Sequence, residues 1–194
     1  MSEVRDFEGA VLSILDLPTG PNHIRTYDLE LIAPQDLGTA VVQIPAGQRI
    51  AVEASVTSLA DGVMFSAQVN ARGEAECSRC LEPVQVPLNL NLHEMFFTPE
   101  AIARIRKESG EEAVADLRVL DSDELPLEEM LRDSLVTAMP YAPVCSEDCQ
   151  GLCDRCGQPW SQLPADHQHE EIDPRLAKLA ALLDPQPGQS EGEE

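Results

Sequence analysis

Aromatic residues are scarce: four phenylalanines, two tyrosines and one tryptophan in 194 residues. So few rings leave no evident platform on which unpaired bases could stack in succession. Basic residues are few as well, 13 Lys and Arg against 35 Asp and Glu, for a net charge of −22. A surface of that sign repels phosphate and argues against general nucleic-acid binding through a basic face. It makes basic partners, such as ribosomal proteins or cationic peptides, the electrostatically favoured ones. Long apolar runs are missing too. The stretch from Val11 to Leu17 is broken by Ser13 and Asp16 and closed by Pro18 and Gly20. It is too short to span a bilayer, and the mixed charge of Met1 to Ala10 is not the basic start of an export signal. The expectation is a cytoplasmic protein with no membrane association and with its cysteines reduced.

Catalytic signatures are equally absent. The chain holds no nucleophile elbow, no phosphate-cradling loop and no dinucleotide fingerprint. His93-Glu94 opens like H-E-x-x-H, but Phe97 stands where the second histidine belongs, and the stretch has the period of a strand. The expectation is a protein that is not an enzyme and takes no small-molecule substrate.

What the chain does have is six cysteines in close-spaced groups. Cys77 and Cys80 form one C-x-x-C, while Cys145, Cys149, Cys153 and Cys156 crowd into twelve residues, with His167 and His169 just beyond. Two donors on a tight turn point at one centre, as a tetrahedral zinc requires, and eight candidate ligands are enough for two four-coordinate ions. The chain is long enough to build a core without disulfide staples. The expected partition gives Cys77, Cys80, Cys145 and Cys149 to one structural zinc, and Cys153, Cys156, His167 and His169 to another. A single zinc, with the His-x-His loop merely solvated, is the alternative. A redox dithiol would place its C-x-x-C at a helix start in a βαβ unit, whereas Pro83 to Leu92 reads as a strand.

The fold class expected is α+β: an antiparallel sheet or partly open β-barrel with packed helices and a C-terminal Cys-rich zinc-knuckle segment. Ile50, Val52, Ala54 and Val56 alternate with polar or small neighbours, as do Val63, Phe65, Ala67 and Val69, and Val84 through Leu92 continue the pattern. Asp61-Gly62 signals a hairpin turn, and Pro87 demotes part of its strand to an edge or bulge. The expected layout is a core domain over 1–140, β-rich over 41–97 with helices at about 99–109 and 126–138. Pro126 is placed in the first turn of the second helix. A Cys/His-rich knuckle with a docking helix from Asp173-Pro174 occupies 141–184, and an acidic disordered tail 185–194.

Three blocks carry a family resemblance: Cys77-Ser78-Arg79-Cys80-Leu81-Glu82-Pro83, the stretch from Pro140 to Gly157, and Ile172-Asp173-Pro174-Arg175-Leu176. With them, roughly residues 50 to 184 resemble the YceD family, the large ribosomal RNA subunit accumulation proteins. The resemblance implies a non-enzymatic ribosome-biogenesis factor supporting accumulation of large-subunit ribosomal RNA. It also implies genes that neighbour that of a small large-subunit ribosomal protein. The implied partner is a ribosomal protein or a large-subunit assembly precursor, with direct RNA contact left open. Cys77, Cys80, Cys145 and Cys149 carry over as the core metal site. Where family members have a second knuckle a C-x-C often follows, and here His167-Gln168-His169 stands in its place. Two other classes compete: a thiol–disulfide redox or redox-sensing protein using the C-x-x-C pairs, and a zinc-ribbon interaction subunit of transcription machinery.

Overall fold

A computed structural model describes residues 3–18 and 20–169. The expected helix from Asp173 and the tail over 185–194 lie outside the described residues. The chain divides into two compact units, Met1–Gly151 and Leu152–Glu194. The sequence expectation drew its boundary at residue 140. The division falls later because the segment carrying Cys145 and Cys149 folds back onto Cys77 and Cys80.

The first unit is built on a sheet whose centre is four antiparallel strands: β3 (Ile24–Ile32), β5 (Arg49–Leu59), β6 (Gly62–Glu76) and β7 (Pro83–Phe97). A short β4 (Val42–Gln43) extends the pairing with β6. The antiparallel expectation holds for this centre but not for its margins. There β1 (Glu3–Asp6) runs parallel to β3, and β8 (Arg118–Val119) runs parallel to the end of β7. The sheet is therefore mixed, and it curls as a half-barrel.

The period-two pattern decides which face is covered. Ile50, Val52, Ala54 and Val56 of β5, Val63, Phe65, Ala67 and Val69 of β6, and Val86, Leu88 and Leu92 of β7 all enter one core. One register fixes them all, because a slip of one residue would turn each set outward. The β5–β6 hairpin turns at Ala60 and Asp61, as Asp61-Gly62 predicts. Pro87 sits within β7 opposite Arg72 of β6. Among the described residues β7 has no second neighbour at that point, so the missing N–H deprives no ladder.

Two helices follow. The first, α1 (Pro99–Ser109), starts where Thr98 accepts the Ala101 amide and has Pro99 in its opening turn. The second, α2 (Glu128–Ala138), lays Met130, Leu131 and Leu135 into the sheet's core, with Leu127 and Met139 at its ends. Pro126 is not its first turn. It closes β9 (Glu124–Pro126), which pairs antiparallel with β2 (Val11–Ser13), so the helix starts at Glu128. Helix α2 delivers the chain at Pro140 to the segment that meets the β6–β7 turn.

Candidate metal centres

The first cluster grows from the end of the β6–β7 ribbon. Cys77-Ser78-Arg79-Cys80 is the turn joining the two strands. It is pinned by the Cys77 amide on the Glu82 carbonyl (2.8 Å) and the Leu81 amide on the Cys77 carbonyl (2.9 Å). The segment after α2 docks there: the Ser78 amide donates to the Pro143 carbonyl at 2.8 Å, and the Cys145 amide points at Cys77 Sγ at 3.4 Å. Arg79 completes the clamp, with Nη1 donating to the carbonyls of both Glu147 and Cys149 at 3.0 Å. Gly151, at φ 81°, passes so close that a Cβ there would stand 3.1 Å from the Arg79 carbonyl oxygen.

These contacts bring Cys77, Cys80, Cys145 and Cys149 together, with all four sulfurs within 4.8 Å of one another. Cys77 and Cys149 are 3.8 Å apart at Sγ, and Cys80 and Cys145 3.6 Å. A tetrahedral ion with metal–sulfur bonds near 2.3 Å separates its sulfurs by about 3.8 Å. All six cysteines are unbridged. These two separations match the sulfur–sulfur edges of a zinc site.

The crowding shows in the electrostatics of three of these thiols. Amide N–H groups favour a thiolate at Cys77: that of Cys80 foremost outweighs burial, those of Arg79 and Cys145 add to it, and the thiol is lowered to about 6. At Cys80 the Glu82 amide works in the same direction. Burial and the thiols of Cys77, Cys145 and Cys149 prevail, however, and push Cys80 up to about 12. Cys145 is raised as well, first by its Cys149 neighbour. Cys77 takes the charge while Cys80 and Cys145 resist, as expected of a tight group of like acids.

The second cluster belongs to the second unit and repeats the turn. The Cys153 amide donates to the Gln158 carbonyl and the Gly157 amide to the Cys153 carbonyl, both at 2.8 Å. His167, its amide on the Pro164 carbonyl, brings Nε2 to 3.7 Å from Cys156 Sγ, while His169 Nε2 lies 3.2 Å from Cys153 Sγ. The two Nε2 atoms are 2.9 Å apart. Zinc–nitrogen bonds near 2.05 Å would set mixed sulfur–nitrogen edges of about 3.6 Å and a nitrogen–nitrogen edge of about 3.3 Å. The donor set is the Cys2His2 type, drawn slightly tight at the histidines. Amides of Cys156 and Arg155 lower the Cys153 thiol to about 7 against burial, with help from the His167 ring. Trp160 packs edge-on against His167, ring centroids 5.5 Å apart.

All eight residues singled out by spacing thus fall into two groups of four, along the division the sequence suggested. Sequence reasoning missed the clamping role of Arg79, the place of Trp160 and a peculiarity of Leu81. In the two turns Gly157 and Leu81 occupy the same place, at φ 69° and 62°. Glycine accepts that left-handed backbone freely, whereas a side chain there costs about 1–2 kcal/mol. No helix among the described residues is long and apolar enough to cross a membrane.

A chain whose sheet turn and following loop gather four cysteines, with a second unit gathering two cysteines and two histidines, is a two-cluster Cys/His protein able to hold metal. The model of the family described as Large ribosomal RNA subunit accumulation protein YceD matches residues 65–183, a span that contains both clusters, and the chain belongs to this family. It is 35% identical over 161 residues to the uncharacterized protein Rv2926c of Mycobacterium tuberculosis (strain ATCC 25618 / H37Rv), covering 83% of this chain and 75% of that one. Against the uncharacterized protein YlbN of Bacillus subtilis (strain 168) it is 23% identical over 122 residues, or 62% of this chain and 66% of that one. No solved structure matches.

Proposed function

We propose that this protein is a non-enzymatic, cytoplasmic factor that supports accumulation of large-subunit ribosomal RNA through protein contacts during large-subunit assembly. Membership of a family named for that accumulation carries the reading. The site chemistry supports it. Each cluster offers four protein donors, and a zinc so held cross-links its segments and keeps no open coordination position for water. Such ions are structural. They fix the β6–β7 turn against the segment after α2, and in the second unit they fix the Cys153–Cys156 turn against the histidine loop. The net charge of −22 favours a basic protein over bare RNA as the direct partner.

The test is depletion of the protein in its own host, with the ratio of large- to small-subunit ribosomal RNA followed alongside gradient sedimentation of the tagged protein. The expected result is a falling ratio and co-sedimentation with large-subunit precursors. An unchanged ratio, with the protein travelling with RNA polymerase, would replace this reading by the transcription one.

A further inference from the structure

Leu81 holds a backbone conformation that favours glycine, at φ 62°, directly after the second cysteine of the first cluster. Its counterpart in the second unit is Gly157. A leucine in this position is opposed by its own Cβ, so some gain from the side chain should accompany it. Its own fold supplies little: Leu81 is 58% exposed and does not belong to the packed core. Strained backbone of this kind gathers at binding and switch regions.

The surroundings of the side chain say what it faces. Leu81, Val41, Pro83 and Val84 line a groove of about 750 Å³, and Val41 is itself 42% exposed. Glu74 and Glu76 line it as well, exposed on β6 and in no ion pair among the described residues, with Glu74 accepting a hydrogen bond from Gln85 Nε2 at 3.1 Å. Of the nearby cations, Arg79 is committed to the carbonyls of Glu147 and Cys149, and Arg72, exposed two residues before Glu74 on β6, forms no ion pair with it among the described residues. Exposed apolar side chains beside carboxylates that have no ion-pair partner are complementary to a basic chain that also presents an apolar side chain.

We propose that this groove beside the first cluster is a docking surface for a lysine- or arginine-rich polypeptide segment, anchored by Leu81. The proposal rests on the protein-contact reading given above and adds the surface and the chemistry of the segment that fills it. Cross-linking the turn through Cys77 and Cys80 would hold Leu81 in place, so the anchor meets its partner already ordered.

The experiment uses the full chain, titrated by fluorescence anisotropy with overlapping peptides that cover the host's large-subunit ribosomal proteins. Leu81→Gly and Leu81→Asn are the variants, because both residues accept a positive φ. Wild type is expected to bind a subset of basic peptides containing an apolar residue. Both variants should melt no lower than wild type and bind those peptides at least about tenfold more weakly, the effect of losing a buried anchor. Variants that bind as wild type does would overturn the groove and leave the protein-contact reading standing. A wild type that binds no peptide would overturn both. Variants that melt clearly lower would show Leu81 serving its own fold. Leu81-dependent binding of a large-subunit RNA transcript, or of a second copy of this chain, would give the groove another occupant and overturn the proposal.

Discussion

Cys77 and Cys149 are 72 residues apart in the chain and 3.8 Å apart at their sulfurs. Between them lie β7, both helices and the segment after α2, so an ion held there closes a loop around much of the first unit. Cross-linking a loop of this length stabilises a fold mainly by restricting the unfolded chain, by about 2–4 kcal/mol. Removing zinc with a chelator, or making Cys77→Ser, is expected to lower the melting temperature and to take one metal from the chain in native mass spectrometry. Cys153→Ser should take a different one. A chain that binds no metal, with thiols that cycle to a disulfide, would overturn the structural-metal account.

Arg79 holds the two halves of the first cluster together through backbone carbonyls. Its Nη1 is shared by the Glu147 and Cys149 carbonyls, which fixes the loop that presents Cys149. Groups that orient ligands typically contribute 10- to 100-fold to metal affinity. Arg79→Ala is therefore expected to weaken the first site by about tenfold or more and to leave the second unchanged, as read by competition with a chromophoric chelator. Equal weakening at both sites, or at neither, would remove Arg79 from this role.

Metal affinity at the first site should rise with pH. Cys80, pushed up to about 12, and Cys145, also raised, hold their protons at neutral pH, whereas Cys77, lowered to about 6, has lost its own. Binding must expel at least the protons of Cys80 and Cys145, so the logarithm of the affinity should gain roughly two units or more per pH unit near neutrality. Below pH 6 the slope steepens further, because Cys77 then carries a proton too. Titrations at several pH values, together with proton release in weakly buffered solution, measure this. An affinity independent of pH would contradict the thiol assignments.

The strands β5, β6 and β7 were legible because each sets apolar side chains against one core at strict two-residue spacing. Strand β3 was not singled out, although Leu29 and Leu31 point inward. Its first residues, Ile24, Arg25 and Thr26, are exposed and blur the alternation. The short strands β1, β2 and β9 carry no period of their own, and their partners across the fold decide them. This is also why Pro126 looked like a helix start. The donor pairs of each turn could be read because ligand spacing is local, and the need of a tetrahedral ion for four donors, with the family resemblance, joined the pairs across 65 to 72 residues. The role of Arg79 could not, since its acceptors lie 68 and 70 residues downstream. Nor does the letter Leu at position 81 disclose a positive φ.

The second cluster carries its own reporter. Trp160, the single tryptophan of the chain, stands edge-on to His167 at 5.5 Å between ring centroids, and His167 Nε2 is one of the four donors. The two histidine Nε2 atoms are 2.9 Å apart, so an ion held by both stands beside the indole. An ion on His167 changes the charge and the surroundings next to the indole. Zinc titration is expected to shift or quench the tryptophan emission in one step belonging to the second site, even in Cys77→Ser. His167→Ala should abolish that step while the first site still takes its ion. An emission change that survives His167→Ala and vanishes with Cys77→Ser would mean that the histidine loop is surface and that the chain holds one metal only.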